Sequence, residues 1–270
     1  MSKFIFHCGF PKTGSTSIQF RLDYSNVNYL GFYPKNKNGM FYKTKELSYF
    51  FEQVVRYGTE KSFKKSFKKM KNFLENEILK NPKKVILSNE NIIGRFIPYD
   101  LPNEIKINRA AAVLPKNSIV VIGVRNLKEL LYSYYKLLLS NGYGEDINYF
   151  FKELKTLESS FGIIESFRIK TIIETFNQIR PDLQIRVFDI KRETTIKKAF
   201  DNIKLPILKN IKNKSFKLQN LPYHLNLNNS FYKGKRFLDW LEIHRVFPKA
   251  VFDSHSTYRL SRSRHLHNIV

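Results

Sequence analysis

Short apolar runs alternate along the chain with longer segments in which apolar residues recur every three or four positions. Continuously apolar runs of strand length are typical of interior strands in a parallel sheet. We expect such strands at 3–8, 83–91 and 117–126, and a fourth strand at 183–190. Helical periodicity occupies 14–24, 59–80, 127–140 and 161–179. The alternation predicts an α/β fold, a three-layer sandwich whose central parallel sheet is flanked by helices.

The periodic pattern weakens from about residue 204 onward. The segment 204–270 contains one further helical stretch, 233–247, and ends in a basic tail without apolar periodicity. No repeat or change of composition marks a domain boundary. We therefore expect a single domain over 1–270, in which 204–270 is an irregular part that contacts the acceptor or caps the domain.

The chain is strongly basic. Its 270 residues carry 47 Lys and Arg against 23 Asp and Glu, a formal net charge of +24. Such a field attracts anionic partners and raises their encounter rate. The charge alone does not separate nucleic acid, anionic lipid, anionic glycan and phosphorylated cofactor, and part of it reflects a chain rich in lysine throughout.

Cysteine content and the N-terminal segment bear on the compartment. Cys8 is the single cysteine, so an intramolecular disulfide is excluded, which suits a reducing compartment. The apolar run near the N-terminus is too short for a signal peptide or a membrane span. We expect a soluble, cytoplasmic protein.

A glycine-containing loop, "GFPKTGSTS" at 9–17, follows the first apolar run. Gly9 and Gly14 have the spacing of a phosphate-binding loop, but Ser15 stands where an ATPase has its lysine. The lysine of this loop is Lys12, three residues earlier. A loop that leads from a strand into a helix presents backbone N–H groups and the positive end of the helix dipole. The pattern therefore predicts an anion site.

The next two strands end without the acid that holds magnesium in P-loop kinases. They end in "SNEN" and "VRN", and no aspartate follows four apolar residues there. This pattern disfavours a magnesium–nucleotide site. The third strand instead ends at Arg125, and Ser133 follows eight residues later.

These two motifs, in this order and each after an apolar strand, resemble those of the sulfotransferases that use 3′-phosphoadenosine 5′-phosphosulfate (PAPS). The resemblance covers roughly 3–140 and is nearest to the soluble bacterial-type members, whose fold is P-loop NTPase-like. Leu127 stands where the family usually has proline. The resemblance implies that PAPS is the cofactor and that no metal is required.

The resemblance also implies roles for individual residues. Lys12 would stabilise negative charge that grows on the departing 5′-phosphate. Arg125 and Ser133 would hold the 3′-phosphate, although Ser133 is also compatible with an ordinary helix-surface serine. The 5′-phosphosulfate would be bound by the loop residues Pro11, Lys12, Thr13, Gly14, Ser15, Thr16 and Ser17.

An acceptor hydroxyl or amine must lose a proton as it attacks sulfur, so a catalytic base is needed. Glu90 is the main candidate, because it ends the strand 83–91 at the edge of the sheet where α/β proteins bind ligands. His7, on the first strand, is the rival. The structural alternatives are a helix cap or ion pair for Glu90 and a buried, hydrogen-bonded histidine for His7.

The resemblance implies a carbohydrate or glycolipid acceptor, as in polysaccharide modification. The positive field favours an acceptor that already carries negative charge and is compatible with peripheral contact with an anionic membrane surface. Two other functions stay open: a P-loop small-molecule kinase and a non-enzymatic, basic nucleic-acid-binding protein. The nucleic-acid alternative explains the positive charge, but it does not explain why two phosphate-binding motifs each follow a strand. We therefore expect that the protein binds no specific nucleic acid.

Overall fold

The protein is described from a computed structural model. The structure describes residues 3–10, 13–31, 42–94, 101–140, 143, 145–162 and 164–206. The strands are β1 (Phe4–Gly9), β2 (Asn28–Tyr29), β3 (Val85–Ser88), β4 (Ile119–Val124) and β5 (Gln184–Asp189). The helices are α1 (Ser15–Asp23), α2 (Lys45–Ser48), α3 (Glu60–Lys80), α4 (Asn103–Val113), α5 (Leu127–Ser140), α6 (Ile147–Phe161), α7 (Ile169–Ile179) and α8 (Glu193–Ala199). A π-helical segment spans Tyr49–Val55, and a short 3₁₀ turn spans Glu165–Phe167.

The strands form one five-stranded sheet in the order β2-β3-β1-β4-β5, and every pairing is parallel. The predicted α/β class and the central parallel sheet flanked by helices are confirmed. The strands expected in the interior, β1, β3 and β4, each have a neighbour on both sides. After β1 the chain forms β2 and β3 on one side of β1. It then crosses to the other side of β1, where it forms β4 and β5. The reversal lies between β1 and β4, a position where open α/β sheets bind ligands.

The two faces of the sheet bury different sets of side chains. On one face, Ile5 of β1 and Val121 of β4 belong to a buried apolar cluster with Ile18 of α1 and Ile196 of α8. On the other face, the ring of Phe6 stacks on Phe51 of the π-helical segment, with centroids 6.0 Å apart. Because side chains alternate along a strand, this arrangement places β1 between two covering layers.

The helix predicted over 161–179 is wrong in its first third. Gly162 ends α6 with a left-handed φ of 57°, and its N–H bonds to the carbonyl of Glu158 at 2.9 Å. Glycine adopts this conformation without a Cβ clash, so it is a common helix terminator. The 3₁₀ turn follows, and α7 begins only at Ile169. The sequence pattern also missed the short strand β2 and the helices α2, α4, α6 and α8, of which α6 is the longest with 15 residues.

The described residues divide into two compact units, one containing 3–137 and 154–206 and the other containing 138–153. Every site residue discussed below belongs to the first unit. The expected C-terminal helix at 233–247 and the basic tail lie outside the described residues, so the prediction of a single domain over 1–270 stays a prediction. In the part of the chain that the structure describes, no helix is long and apolar enough to cross a membrane.

Candidate anion-binding site

The loop between β1 and α1 folds back on itself at the carboxyl end of the central strand. The backbone N–H of Thr13 donates to the carbonyl of Phe10 at 3.2 Å, and its hydroxyl donates to the same carbonyl at 2.6 Å. The Phe10 N–H in turn donates to Gly123 on β4 at 3.4 Å. These bonds tie the loop to the ends of β1 and β4. Pro11 and Lys12 lie outside the described residues, so their predicted roles stay predictions.

The backbone conformation at the start of α1 requires a glycine at position 14. Its φ is 85°, and a Cβ built on it would lie 2.9 Å from Cγ1 of Ile190. Any other residue would meet both the strain of the left-handed region and this contact. The segment just after β5 therefore packs against the loop at the residue where α1 begins.

The first turn of α1 has the features of an anion site. Gly14 occupies the N-cap position and supplies no side-chain cap, and the first turn contains no acidic residue. The backbone N–H groups of this turn are the ones that a helix leaves without intrahelical acceptors. Ser15 is buried, whereas Thr16 and Ser17 are half-buried. The arrangement can bind an anionic group through backbone amides and hydroxyls.

The neighbouring strand end supplies a guanidinium group. Arg125 follows β4 directly, and its Nε donates to Oε2 of Glu129 on α5 at 3.1 Å. The carboxylate of Glu129 also accepts from the Nζ of Lys191, at 2.9 and 2.8 Å. These hydrogen bonds from Lys191 and Arg125 lower the pKa of Glu129 below its usual value. Ser133 is half-buried one helical turn beyond Glu129, so the two residues share a face of α5.

Glu90 lies in the turn that follows β3, on the other side of the loop. It is half-buried, and its neighbours Asn89 and Asn91 form the turn, in which the Asn91 N–H donates to Oδ1 of Asn89 at 2.7 Å. The backbone N–H of Asn89 donates to the carbonyl of His7 at 2.8 Å, which holds the turn beside the end of β1. The structure thus brings Glu90 to the same edge of the sheet as the loop.

A half-buried carboxylate supports this turn from the π-helical segment. Glu52 accepts from Tyr42 Oη at 2.8 Å and from Nδ2 of Asn91 at 3.3 and 3.2 Å. Arg56 Nη1 donates to the same carboxylate at 2.8 Å. Burial, followed by the charge of Glu52, raises the pKa of Tyr42 well above its usual value. These bonds fix the turn that carries Glu90, and π-helical segments are frequent at functional sites.

His7 occupies a different environment from Glu90. It is fully buried on β1, its Nδ1 is 2.8 Å from Ser88 Oγ, and its ring packs on Phe188 and Phe200 with centroids 5.7 and 5.5 Å away. Burial lowers the pKa of His7 to about 3. These are the features of a neutral, structural histidine, so they favour Glu90 over its rival as the base. The role of Glu90 as the base stays a prediction.

Three residues of this edge were not identified in the sequence analysis. Glu129 stands four residues after Arg125, a spacing that signals a helical ion pair and could have been used. Glu52 is an acidic residue inside the apolar stretch "YFFEQVV", a pattern that suggests a carboxylate held by specific hydrogen bonds. Lys191 carries no such signal, because its approach to Glu129 depends on the order of the strands.

In the described ranges, no three His, Cys, Asp or Glu side chains group as a metal site, and the expectation that no metal is required stays a prediction. Comparisons with protein-family models, with curated proteins and with solved structures find no match to this chain.

Proposed function

We propose that the protein is a PAPS-dependent sulfotransferase. The observation that carries the proposal is the position of three motifs at the carboxyl ends of adjacent parallel strands. Glu90 follows β3, the loop 9–17 follows β1, and Arg125 follows β4. The loop and Arg125 flank the point where the direction of the sheet connections reverses, which is the usual ligand crevice of such sheets.

The donor-binding part of the proposal rests on the loop and on Arg125. The first turn of α1 offers amides and the hydroxyls of Thr16 and Ser17 to the 5′-phosphosulfate, while Arg125 and Ser133 hold the 3′-phosphate. The described residues fit such a ligand, because the first turn of α1 contains no acidic residue and Arg125 directly follows β4, the strand that pairs with β1. The bound donor supplies a sulfuryl group attached to a phosphate leaving group.

The transfer step needs one base and one cation. Glu90 accepts the proton of the acceptor hydroxyl or amine as the acceptor atom bonds to sulfur. The bond from sulfur to the bridging phosphate oxygen breaks, and its electron pair stays on that oxygen. Lys12 stabilises the charge that develops there, which makes its contribution larger in the transition state than in the ground state. The products are the sulfated acceptor and adenosine 3′,5′-bisphosphate.

The acceptor in this proposal is a carbohydrate or glycolipid, in a reaction of polysaccharide modification. The amide and carboxylate groups around Glu90 are suited to hydrogen bonding with hydroxyl groups. The net charge of +24 favours an acceptor that already carries negative charge. The single cysteine suits a reducing compartment and supports a cytoplasmic enzyme.

A transfer assay tests the proposal. Protein purified without added metal is incubated with PAPS labelled in the sulfuryl group and a panel of neutral and anionic glycans and glycolipids. We expect label in at least one acceptor, unaffected by a chelator. A parallel reaction uses ATP labelled at the γ-phosphate with magnesium. Label transferred only from ATP contradicts the proposal and indicates a kinase, and steep, salt-dependent binding to oligonucleotides without transfer indicates a nucleic-acid-binding protein.

A further inference from the structure

The carboxylate of Glu129 bridges two cations that come from different strand ends. Its Oε2 lies 3.1 Å from Nε of Arg125 and 2.8 Å from Nζ of Lys191. Its Oε1 lies 2.9 Å from the same Lys191 nitrogen. The Arg125 guanidinium and the Lys191 ammonium group therefore bind the same carboxylate. Both cations can thus converge on one small anionic group.

Strand register places this site beside the proposed donor crevice. Val124 pairs with Asp189, so Arg125 and Lys191 both follow the ends of neighbouring strands. Lys191 also follows Ile190 directly, the residue that packs against Gly14 at the start of α1. The residue next to Lys191 thus contacts the loop, and the Lys191 ammonium group shares the Glu129 carboxylate with Arg125.

The bridge is accessible to a ligand. The side chain of Lys191 is 61% exposed and that of Glu129 is 41% exposed. Ion pairs this exposed contribute little to stability, because water and salt screen them. The other charged residues near Lys191 interact with their own neighbours in the chain. Oδ1 of Asp189 accepts a hydrogen bond from the backbone N–H of Lys191 at 2.9 Å, and Oδ2 of Asp189 lies 3.9 Å from Nε of Arg192. An external dianion can therefore replace the carboxylate on Lys191 at small cost.

We propose that Lys191 is a binding residue for the phosphomonoester of the donor, and that it acts with Arg125 on the 3′-phosphate. In the free protein Glu129 keeps the two cations together. On binding, the phosphate accepts hydrogen bonds from both cations and displaces Glu129 from Lys191. This inference rests on the proposed function, since it assigns a further residue to the same ligand.

The test compares Lys191→Ala with Lys198→Ala, an exposed lysine on α8, by titration calorimetry with two nucleotides. We expect Lys191→Ala to weaken adenosine 3′,5′-bisphosphate binding about tenfold, the size of one charge-assisted hydrogen bond, and adenosine 5′-monophosphate binding less than twofold. Lys191→Arg should retain most of the affinity. The wild-type affinity for the bisphosphate should also fall more steeply with salt than that of Lys191→Ala.

Two contrary results have different meanings. If the wild type prefers the bisphosphate but Lys191→Ala behaves like Lys198→Ala, or weakens both nucleotides equally, this inference is overturned while the proposed function stands. If the wild type does not prefer the bisphosphate over the monophosphate, the proposed function and this inference fall together.

Discussion

The two sides of the loop after β1 differ in chemistry. Toward β4 and β5 lie the cations Arg125 and Lys191, which share the carboxylate of Glu129. Toward β3 lie the carboxylates Glu52 and Glu90 with their asparagine neighbours. Cations and amides suit an anionic donor, whereas a carboxylate suits the removal of a proton. The difference suggests that one edge of the sheet is divided into a donor half and an acceptor half.

The largest effect should come from removing the proposed base, Glu90, on the proposed acceptor half. Glu90→Gln keeps the shape of the side chain but cannot take a proton, so we expect kcat to fall by roughly 10²–10⁴-fold. The acidic limb of the pH–rate profile, where the base becomes protonated, should disappear as well. Binding of adenosine 3′,5′-bisphosphate should stay within twofold of the wild type.

The matched control for this variant is Glu75→Gln, an exposed glutamate on α3. Near-full activity of Glu90→Gln with an unchanged acidic limb would remove Glu90 from the acceptor half as the base.

Removing Lys12, the proposed transition-state lysine of the loop, should have the next largest effect. Lys12→Ala should lower kcat by about 100- to 1,000-fold, because the proposed contact strengthens as charge develops on the leaving phosphate. The affinity for the bisphosphate should fall much less. The comparison is made with Lys65→Ala, an exposed lysine on α3. Equal losses in rate and affinity would identify Lys12 as an ordinary phosphate contact.

A smaller effect, on binding alone, is expected from the 3′-phosphate residues. Arg125→Ala should weaken bisphosphate binding by about 1.5–3 kcal/mol and Ser133→Ala by about 0.5–1.5 kcal/mol, because the first hydrogen bond is charged and the second is neutral. Adenosine 5′-monophosphate lacks the 3′-phosphate, so its affinity should change little. Calorimetry with both nucleotides makes the comparison, and similar losses for both would show that these residues do not recognise the 3′-phosphate.

The smallest effect concerns His7, which lies between the two halves. Its pKa is lowered to about 3 in the folded protein by burial, so the unfolded chain binds the extra proton as the pH falls below 6.5. Folding stability is therefore lost below that pH. Between pH 7 and 5.5 the wild type should lose about 1 kcal/mol more unfolding free energy than His7→Asn.

Urea unfolding at the two pH values measures this difference. An equal loss in both proteins would mean that His7 titrates normally, as an accessible base would, and would reopen its candidacy against Glu90.

The sequence predicts the fold class and the interior strands, whereas it predicts the candidate site only in part. The interior strands are continuously apolar and α3 has a clear apolar stripe, so their type follows from pattern alone, whereas the order of the strands in the sheet does not. Gly162 is a local signal for a helix end, and it lies where α6 ends. The approach of Lys191 to Glu129, and that of Glu52 to the turn at Asn91, depend on how distant segments are brought together, which no local pattern encodes.

The central claim is that the edge formed by β3, β1 and β4 binds a 3′-phosphorylated adenosine nucleotide. Titration calorimetry of the wild type in the presence of a chelator tests it directly, with adenosine 3′,5′-bisphosphate, adenosine 5′-monophosphate and ATP as ligands. We predict that the bisphosphate binds at least tenfold more tightly than either of the others, without metal. Equal binding of all three, or binding of ATP that requires magnesium, would contradict the account.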